Sequence, residues 1–168
     1  TCREQFSDRF HREAHAISSL NHPHICTLYD VGPNYLVMEL IEGDNLDQLM
    51  QQLRAQQQWI RLPEATALIR HVALAIDYAH RNGVLHRDIK PANILRVDDT
   101  WKLSDFGTAR VSSGGRTSQT SSVYGTPLYM PPEAFEGIVS PSWDLWSLGQ
   151  SLQEVLKASS VTNDDIRR

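Results

Sequence analysis

A chain of 168 residues with 16 Lys+Arg against 20 Asp+Glu carries a formal net charge of −4, and 40% of its residues are hydrophobic. That is enough apolar material for one domain-sized core, while the slight acidity argues against a protein held mainly by nucleic-acid phosphates or anionic lipid. Two cysteines, Cys2 and Cys26, are too few for a disulfide framework and form no Cys-x-x-Cys pair, so they read as reduced thiols in a cytosolic setting. The longest apolar stretch, residues 35–41, already contains Glu39 and falls far short of the roughly 20 residues a bilayer-spanning helix needs.

The chain opens on Thr1 with neither a basic n-region nor an apolar h-region, which fits missing upstream sequence better than a signal peptide. Phe10, Ala14, Ile17 and Leu20 recur at helical spacing, and Asn21-His22-Pro23 should stop that helix, because proline disfavours helix at the residue before it. Residues 25–31 and 35–40 are β-prone and are separated by Gly32-Pro33-Asn34, the pattern of an antiparallel hairpin. After Glu42-Gly43-Asp44 the pattern becomes helical again, with Leu46, Leu49, Met50 and Leu53 followed by the polar run Gln56-Gln57-Gln58.

Pro63 sits where a first-turn proline belongs. Leu68, Val72, Ala75, Ile76 and Ala79 then form one apolar stripe that ends at Asn82-Gly83. Val84-Leu85, residues 94–97 and residues 101–103 are short β-prone pieces, the last two joined by Asp98-Asp99-Thr100. Residues 112–122 are rich in Ser, Thr and Gly and read as a loop. Trp143, Trp146, Leu148, Leu152, Val155 and Leu156 mark a last helix that is apolar over much of its circumference and is therefore expected to be buried.

Chemistry concentrates in two segments. Asp88 and Asn93 lie in His86-Arg87-Asp88-Ile89-Lys90-Pro91-Ala92-Asn93, and Asp105 lies in Asp105-Phe106-Gly107. Carboxylate and carbonyl oxygens suit Mg²⁺, which takes one or two protein ligands and leaves its other positions to water and substrate phosphates. A hairpin over residues 94–103 would bring Asn93 and Asp105 together as such ligands. Asp88 would then be free to accept a proton from an attacking hydroxyl, with Lys90 neutralising charge on the phosphoryl group.

These residues resemble one family closely, the eukaryotic-like (Hanks-type) protein kinases. Fixing His, Arg, Asp and Asn in one segment and Asp, Phe, Gly in the other has a chance frequency of about one in a billion per register. Glu13 looks like the helix-C glutamate, and Tyr35-Leu36-Val37-Met38-Glu39 like the strand that enters the hinge. Gly125-Thr126-Pro127-Leu128-Tyr129-Met130-Pro131-Pro132-Glu133 is similar to the end of the activation loop, although Pro131 stands where the family's Ala-Pro-Glu has alanine. Asp144-Leu145-Trp146-Ser147-Leu148-Gly149 resembles the start of the buried helix F.

The resemblance implies an α+β, protein-kinase-like bilobal fold. Residues 1–40 would be a remnant of the small β-rich N-lobe (helix C and two strands), and residues 41–168 an incomplete, mainly helical C-lobe. It makes Asp88 the catalytic base, Lys90 the phosphate-contacting lysine, and Asn93 and Asp105 the Mg²⁺ ligands. ATP would lie against Met38 as gatekeeper, the backbones of Glu39 and Ile41, and Leu95, with Glu13 supporting the phosphates.

Ile17, Leu28, His86 and Phe106 look like the residues that stack in an active kinase, anchored on Asp144. Lys90 and Gly125-Thr126-Pro127 resemble serine/threonine kinases, so the implied partner is a protein bearing a Ser or Thr acceptor. Arg87 resembles the subgroup switched on by loop phosphorylation, with Thr117, Ser118, Thr120, Ser121 and Ser122 as candidate sites. The style of residues 21–26 and 35–43 looks bacterial, and a cytoplasmic location follows, with any membrane tether lying outside this chain.

The 168 residues contain neither a glycine-rich loop nor a strand lysine of the Val-Ala-Ile-Lys type before Glu13. The expectation is therefore a kinase domain truncated at both ends, close to inactive in isolation. Such a chain should be marginally stable and association-prone, with a Trp, Leu and Val stripe of the last helix left uncovered. Two other classes share parts of the pattern. A catalytically silent docking module would lack nucleotide-dependent stabilisation, and a small-molecule phosphotransferase would lack the peptide platform at residues 125–133. His11 and His15 have metal-binding spacing, but Arg12 occupies the place where a zinc-protease motif has Glu.

Overall fold

The computed structural model describes residues 16–32, 35–106, 110–111 and 126–158. Residues 16–18 form a helical turn that ends where Leu20 N–H donates to the Ile17 carbonyl (3.0 Å). Strands β1 (Leu28–Val31) and β2 (Leu36–Met38) then pair antiparallel, with Leu28 opposite Met38 and Val31 opposite Leu36. The first strand starts later than its β-prone composition suggests, because Ile25 and Cys26 turn away to another strand. Cys26 N–H donates to the Leu103 carbonyl and Leu103 N–H to the His24 carbonyl, both at 2.9 Å.

Helix α1 (Leu46–Ala55) starts at a capping box that satisfies two amides reciprocally. Asn45 Oδ1 accepts from Gln48 N–H (2.9 Å), and Gln48 Oε1 accepts from Asn45 N–H (3.0 Å). Gly43 just before it is required by space: a Cβ there would lie 2.5 Å from the Arg96 carbonyl oxygen. Helix α2 (Leu62–Arg81) carries Pro63 in its first turn and closes at Asn82, followed by Gly83 at φ 72. The expected stripe of Leu68, Val72, Ala75, Ile76 and Ala79 is buried throughout.

Strand β3 (Val84–Leu85) pairs with β6 (Arg110–Val111), while β4 (Ile94–Val97) and β5 (Thr100–Leu103) form a hairpin turned by Asp98 at φ 49. One core joins these parts. Leu46 and Met50 of α1, the α2 stripe, Ile89, Ile94, Trp101, Leu103 and Phe106 pack with Leu148 and Val155 of helix α3 (Ser142–Ala158). Each of the Val, Leu, Ile, Phe and Met side chains contributes roughly 1.5–3 kcal/mol by leaving water. The loop bearing the chemistry is thus clamped between α2, the β4–β5 hairpin and α3.

Helix α3 corrects the expectation of burial on most sides. Trp143, Leu148 and Val155 are buried, with Trp143 in a small second core against Met130, Ala134 and Val139. Leu145, Trp146 and Leu156 lie outward at 57%, 43% and 55% exposure, so the uncovered stripe excludes Val155. Ser147 and Ser151 face inward because each hydroxyl is hydrogen-bonded to a carbonyl one turn back, at 3.0 and 2.9 Å. An apolar composition alone does not reveal that two serines share the buried face.

Candidate active site

Asp144 holds the loop that carries Asp88. Its carboxylate is 1% exposed and accepts from His86 N–H (2.9 Å), Arg87 N–H (2.7 Å) and His80 Nε2 (2.7 Å). Burial alone would raise its pKa, but the His80 hydrogen bond, with the amides of Arg87 and His86, outweighs burial and holds it below the ordinary carboxylate value. Arg87 sits at φ 67, a left-handed conformation that costs an L residue roughly 1–2 kcal/mol. The Asp144 bonds to its own and the preceding amide hold it there, and its guanidinium lies 5.1 Å from the Trp143 ring centre.

His86 ties this loop to the Asp105 segment. Its Nε2–H donates to the Ser104 carbonyl (2.8 Å), its Nδ1 accepts from Asp88 N–H (3.3 Å), and its ring meets Phe106 at 4.4 Å. Full burial pushes its pKa down, and a neutral ring is what this bonding requires. Of the four residues read as a stack, His86 and Phe106 are in ring contact, Ile17 packs on the main core, and Leu28 is buried.

Asp88 is fully engaged on both oxygens. Lys90 Nζ donates to Oδ2 (2.7 Å), while Oδ1 accepts from Thr126 N–H (3.0 Å) and Thr126 Oγ1–H (2.9 Å). Lys90 Nζ also donates to Thr126 Oγ1 (2.9 Å), closing a three-residue ring. Burial raises the Asp88 pKa, yet Lys90 and Thr126 more than offset it, so the carboxylate is held ionised below its ordinary value. An ionised acceptor aimed at a hydroxyl, with a cation beside it, is suited to proton acceptance during group transfer.

Asn93 Nδ2 donates to the Asp88 carbonyl (2.8 Å) and to Asp88 Oδ2 (3.3 Å), which commits its donor group and leaves Oδ1 as an oxygen ligand. Ser104 N–H and Oγ–H both donate to the Asn93 carbonyl, at 2.9 and 3.1 Å, which ties the residue before Asp105 to Asn93. Asp105 is exposed and stands at φ 58. An amide oxygen and a carboxylate fit a hard divalent cation that keeps its remaining positions for water and phosphate. Among the described residues, no group of three His, Cys, Asp or Glu side chains could hold a metal.

The residues expected around a nucleotide base lie on β2, on β4 and in the linker to α1. Met38 ends β2 at 39% exposure, Leu95 is half-buried on β4, and Ile41 is half-buried in the linker to α1. Lys102, opposite Leu95 in the hairpin, pairs with the Glu39 carboxylate, whose other oxygen accepts from Thr27 N–H (3.1 Å). Glu39 N–H donates to the Thr27 carbonyl (2.8 Å).

Glu13, the two histidines at 11 and 15, Gly107, Gly125 and the five candidate phosphorylation sites lie outside the described residues. Sequence reading missed the role of Thr126, which it used only as a mark of serine/threonine specificity. It also missed His80 as a partner of Asp144. No local pattern could have given either, since their partners are 38 and 64 residues away.

An α+β fold that sets an ionised carboxylate beside a lysine, next to an amide and a carboxylate fit for a divalent cation, is the arrangement of a phosphoryl-transfer domain. The protein kinase domain family matches residues 1–167. A probable serine/threonine-protein kinase of Streptomyces coelicolor is 40% identical, over 90% of this chain and 24% of its own length. The serine/threonine-protein kinase PrkC of Bacillus subtilis is 38% identical over the same shares, and PknL of Mycobacterium tuberculosis is 38% identical over 96% of this chain and 41% of its own. The chain belongs to the protein kinase domain family, and these three serine/threonine kinase relatives are bacterial. It spans about a quarter of the length of the first two.

The family uses ATP and a divalent metal. No helix among the described residues is long and apolar enough to cross a membrane.

Proposed function

We propose that these residues are the catalytic part of a serine/threonine protein kinase that moves the γ-phosphate of ATP to Ser or Thr hydroxyls of protein substrates. The observation that carries this reading is the Asp88–Lys90–Thr126 ring, which joins the proton acceptor to the segment on which an acceptor peptide would lie. Asp88 accepts the hydroxyl proton as the oxygen attacks the γ-phosphorus and the bond to ADP breaks. Lys90 balances charge on the transferring group, and Asn93 and Asp105 would hold Mg²⁺, which supplies charge neutralisation on the ATP phosphates. The Glu39 carbonyl and Ile41 amide would take the adenine edge, with Met38 beside the ring, Leu95 beneath it and Glu13 supporting the phosphates.

On this reading the lobe boundary falls near residue 41, and the domain acts in the cytoplasm, where ATP is supplied. The 168 residues alone are proposed to turn over little, because no glycine-rich loop or strand lysine lies within them. The test is transfer of γ-labelled phosphate by the protein that contains this chain, followed by acid hydrolysis of the labelled product. Label on phosphoserine or phosphothreonine supports the reading. Label only on a small alcohol, or none, overturns it.

A further inference from the structure

Away from the active site, three histidines fasten residues 19–26 to α2 and β5. Strand β5 pairs with β4 on one side, and on its other edge the polar groups of Trp101 meet imidazoles instead of a strand. The Trp101 carbonyl takes a hydrogen bond from His24 Nδ1–H (3.1 Å), and Trp101 N–H donates to His71 Nδ1 (3.2 Å). The two rings stack at 3.9 Å with 11° between their planes.

Complementary tautomers are therefore required. His24 must carry its proton on Nδ1, and His71 must keep Nδ1 bare. His22 repeats the second condition, because its Nδ1 accepts from His24 N–H (3.2 Å), while its ring stacks on Tyr78 of α2 at 5.0 Å. The same segment continues onto β5 through the Cys26 and Leu103 amides.

We propose that this cluster is an acid-sensitive clasp, which releases residues 19–26 from α2 and β5 when His71 takes up a proton. A proton on His71 Nδ1 would set two N–H groups against each other in a buried place and leave Trp101 N–H without an acceptor. No negative charge acts on either ring among the described residues. His71 is faced by His24 from the loop, with Arg70 beside it on α2, and His22 is faced by His24, with Tyr78 beneath it.

Burial, then these neighbours, lower the proton affinity of both rings. A group depressed in this way stabilises the closed form fully above the ordinary histidine pKa of about 6.5 and loses that contribution as pH falls below it.

The test is amide hydrogen exchange on the full chain from pH 7.5 to 5.5, with and without His71→Gln. Glutamine can offer Trp101 N–H an oxygen that does not titrate. The protection factors of Cys26 and Leu103 should fall below pH 6.5 in the unsubstituted chain, relative to amides inside α2. The His71→Gln variant should lose up to about tenfold per pH unit of that slope, the weight of one proton. Protection that is flat with pH, or that falls equally in both proteins, overturns the proposal.

Should the variant fail to fold, ¹⁵N imidazole shifts of the unsubstituted chain decide. A neutral His71 until the two amides lose protection supports the clasp. An imidazolium at His71 with both amides still protected refutes it.

Discussion

Asp144→Ala should unfold the catalytic loop at a cost that can be worked from its bonds. The carboxylate is 1% exposed and accepts from two backbone amides, with His80 as a third donor. Removing it strands two buried N–H groups at roughly 1–3 kcal/mol each, and loses the His80 bond and the hold on Arg87 at φ 67. The sum is a loss of about 3–5 kcal/mol, a large share of the 5–15 kcal/mol by which domains are stable.

Asp144→Asn keeps the shape and one acceptor oxygen, so it should lose less. Urea unfolding at pH 7, followed by tryptophan fluorescence with the slope unchanged, measures both. The pH dependence has a definite sign. The folded pKa of Asp144 is depressed, so its contribution is present above the ordinary aspartate value of about 3.9 and is lost as pH falls through the folded value. A loss under about 1 kcal/mol for Asp144→Ala would refute the claim that these bonds hold the loop.

Three further outcomes follow from particular contacts. Thr126→Val removes the hydroxyl shared by Asp88 and Lys90, and should lower kcat of the complete kinase by about tenfold or more while leaving KM for ATP within about twofold; a change confined to KM would contradict the ring's role. Gly43→Ala places a methyl 2.5 Å from the rigid Arg96 carbonyl and should cost roughly 1–3 kcal/mol in chemical denaturation, whereas a neutral result would show that the hinge-to-α1 approach is slack. The outward face of α3, with Leu145, Trp146 and Leu156, should make the isolated chain self-associate in sedimentation velocity; one monomeric species over a tenfold concentration range, melting cooperatively, would contradict this.

The parts of this structure that a sequence can display are those set by local periodicity and punctuation. The α2 stripe from Leu68 to Ala79, its close at Gly83, and the β4–β5 hairpin around Asp98 all depend on residues within a few positions of each other. The same holds for the Asp88–Asn93 run, whose spacing carries the Asn93 side chain back onto the Asp88 carbonyl.

What was not legible depends on distant partners. Ile25 has the composition of a hairpin strand, yet it bridges Leu103 instead. Trp146 and Leu156 look as buried as Trp143 until the inward serines of α3 set which face packs. Thr126, His80 and His71 have ordinary local surroundings, and only the tertiary fold brings them to Asp88, Asp144 and Trp101.

The central claim is that Asp88 is the proton acceptor of a phosphoryl-transfer site whose nucleotide is held by other residues. The most direct measurement is γ-phosphate transfer by the complete protein with and without Asp88→Asn, beside its Mg²⁺-dependent affinity for ATP. The account predicts that transfer to Ser or Thr falls by at least about 10²-fold while nucleotide affinity changes by less than a few fold. Transfer that survives Asp88→Asn, or that falls only in step with lost nucleotide binding, would contradict it.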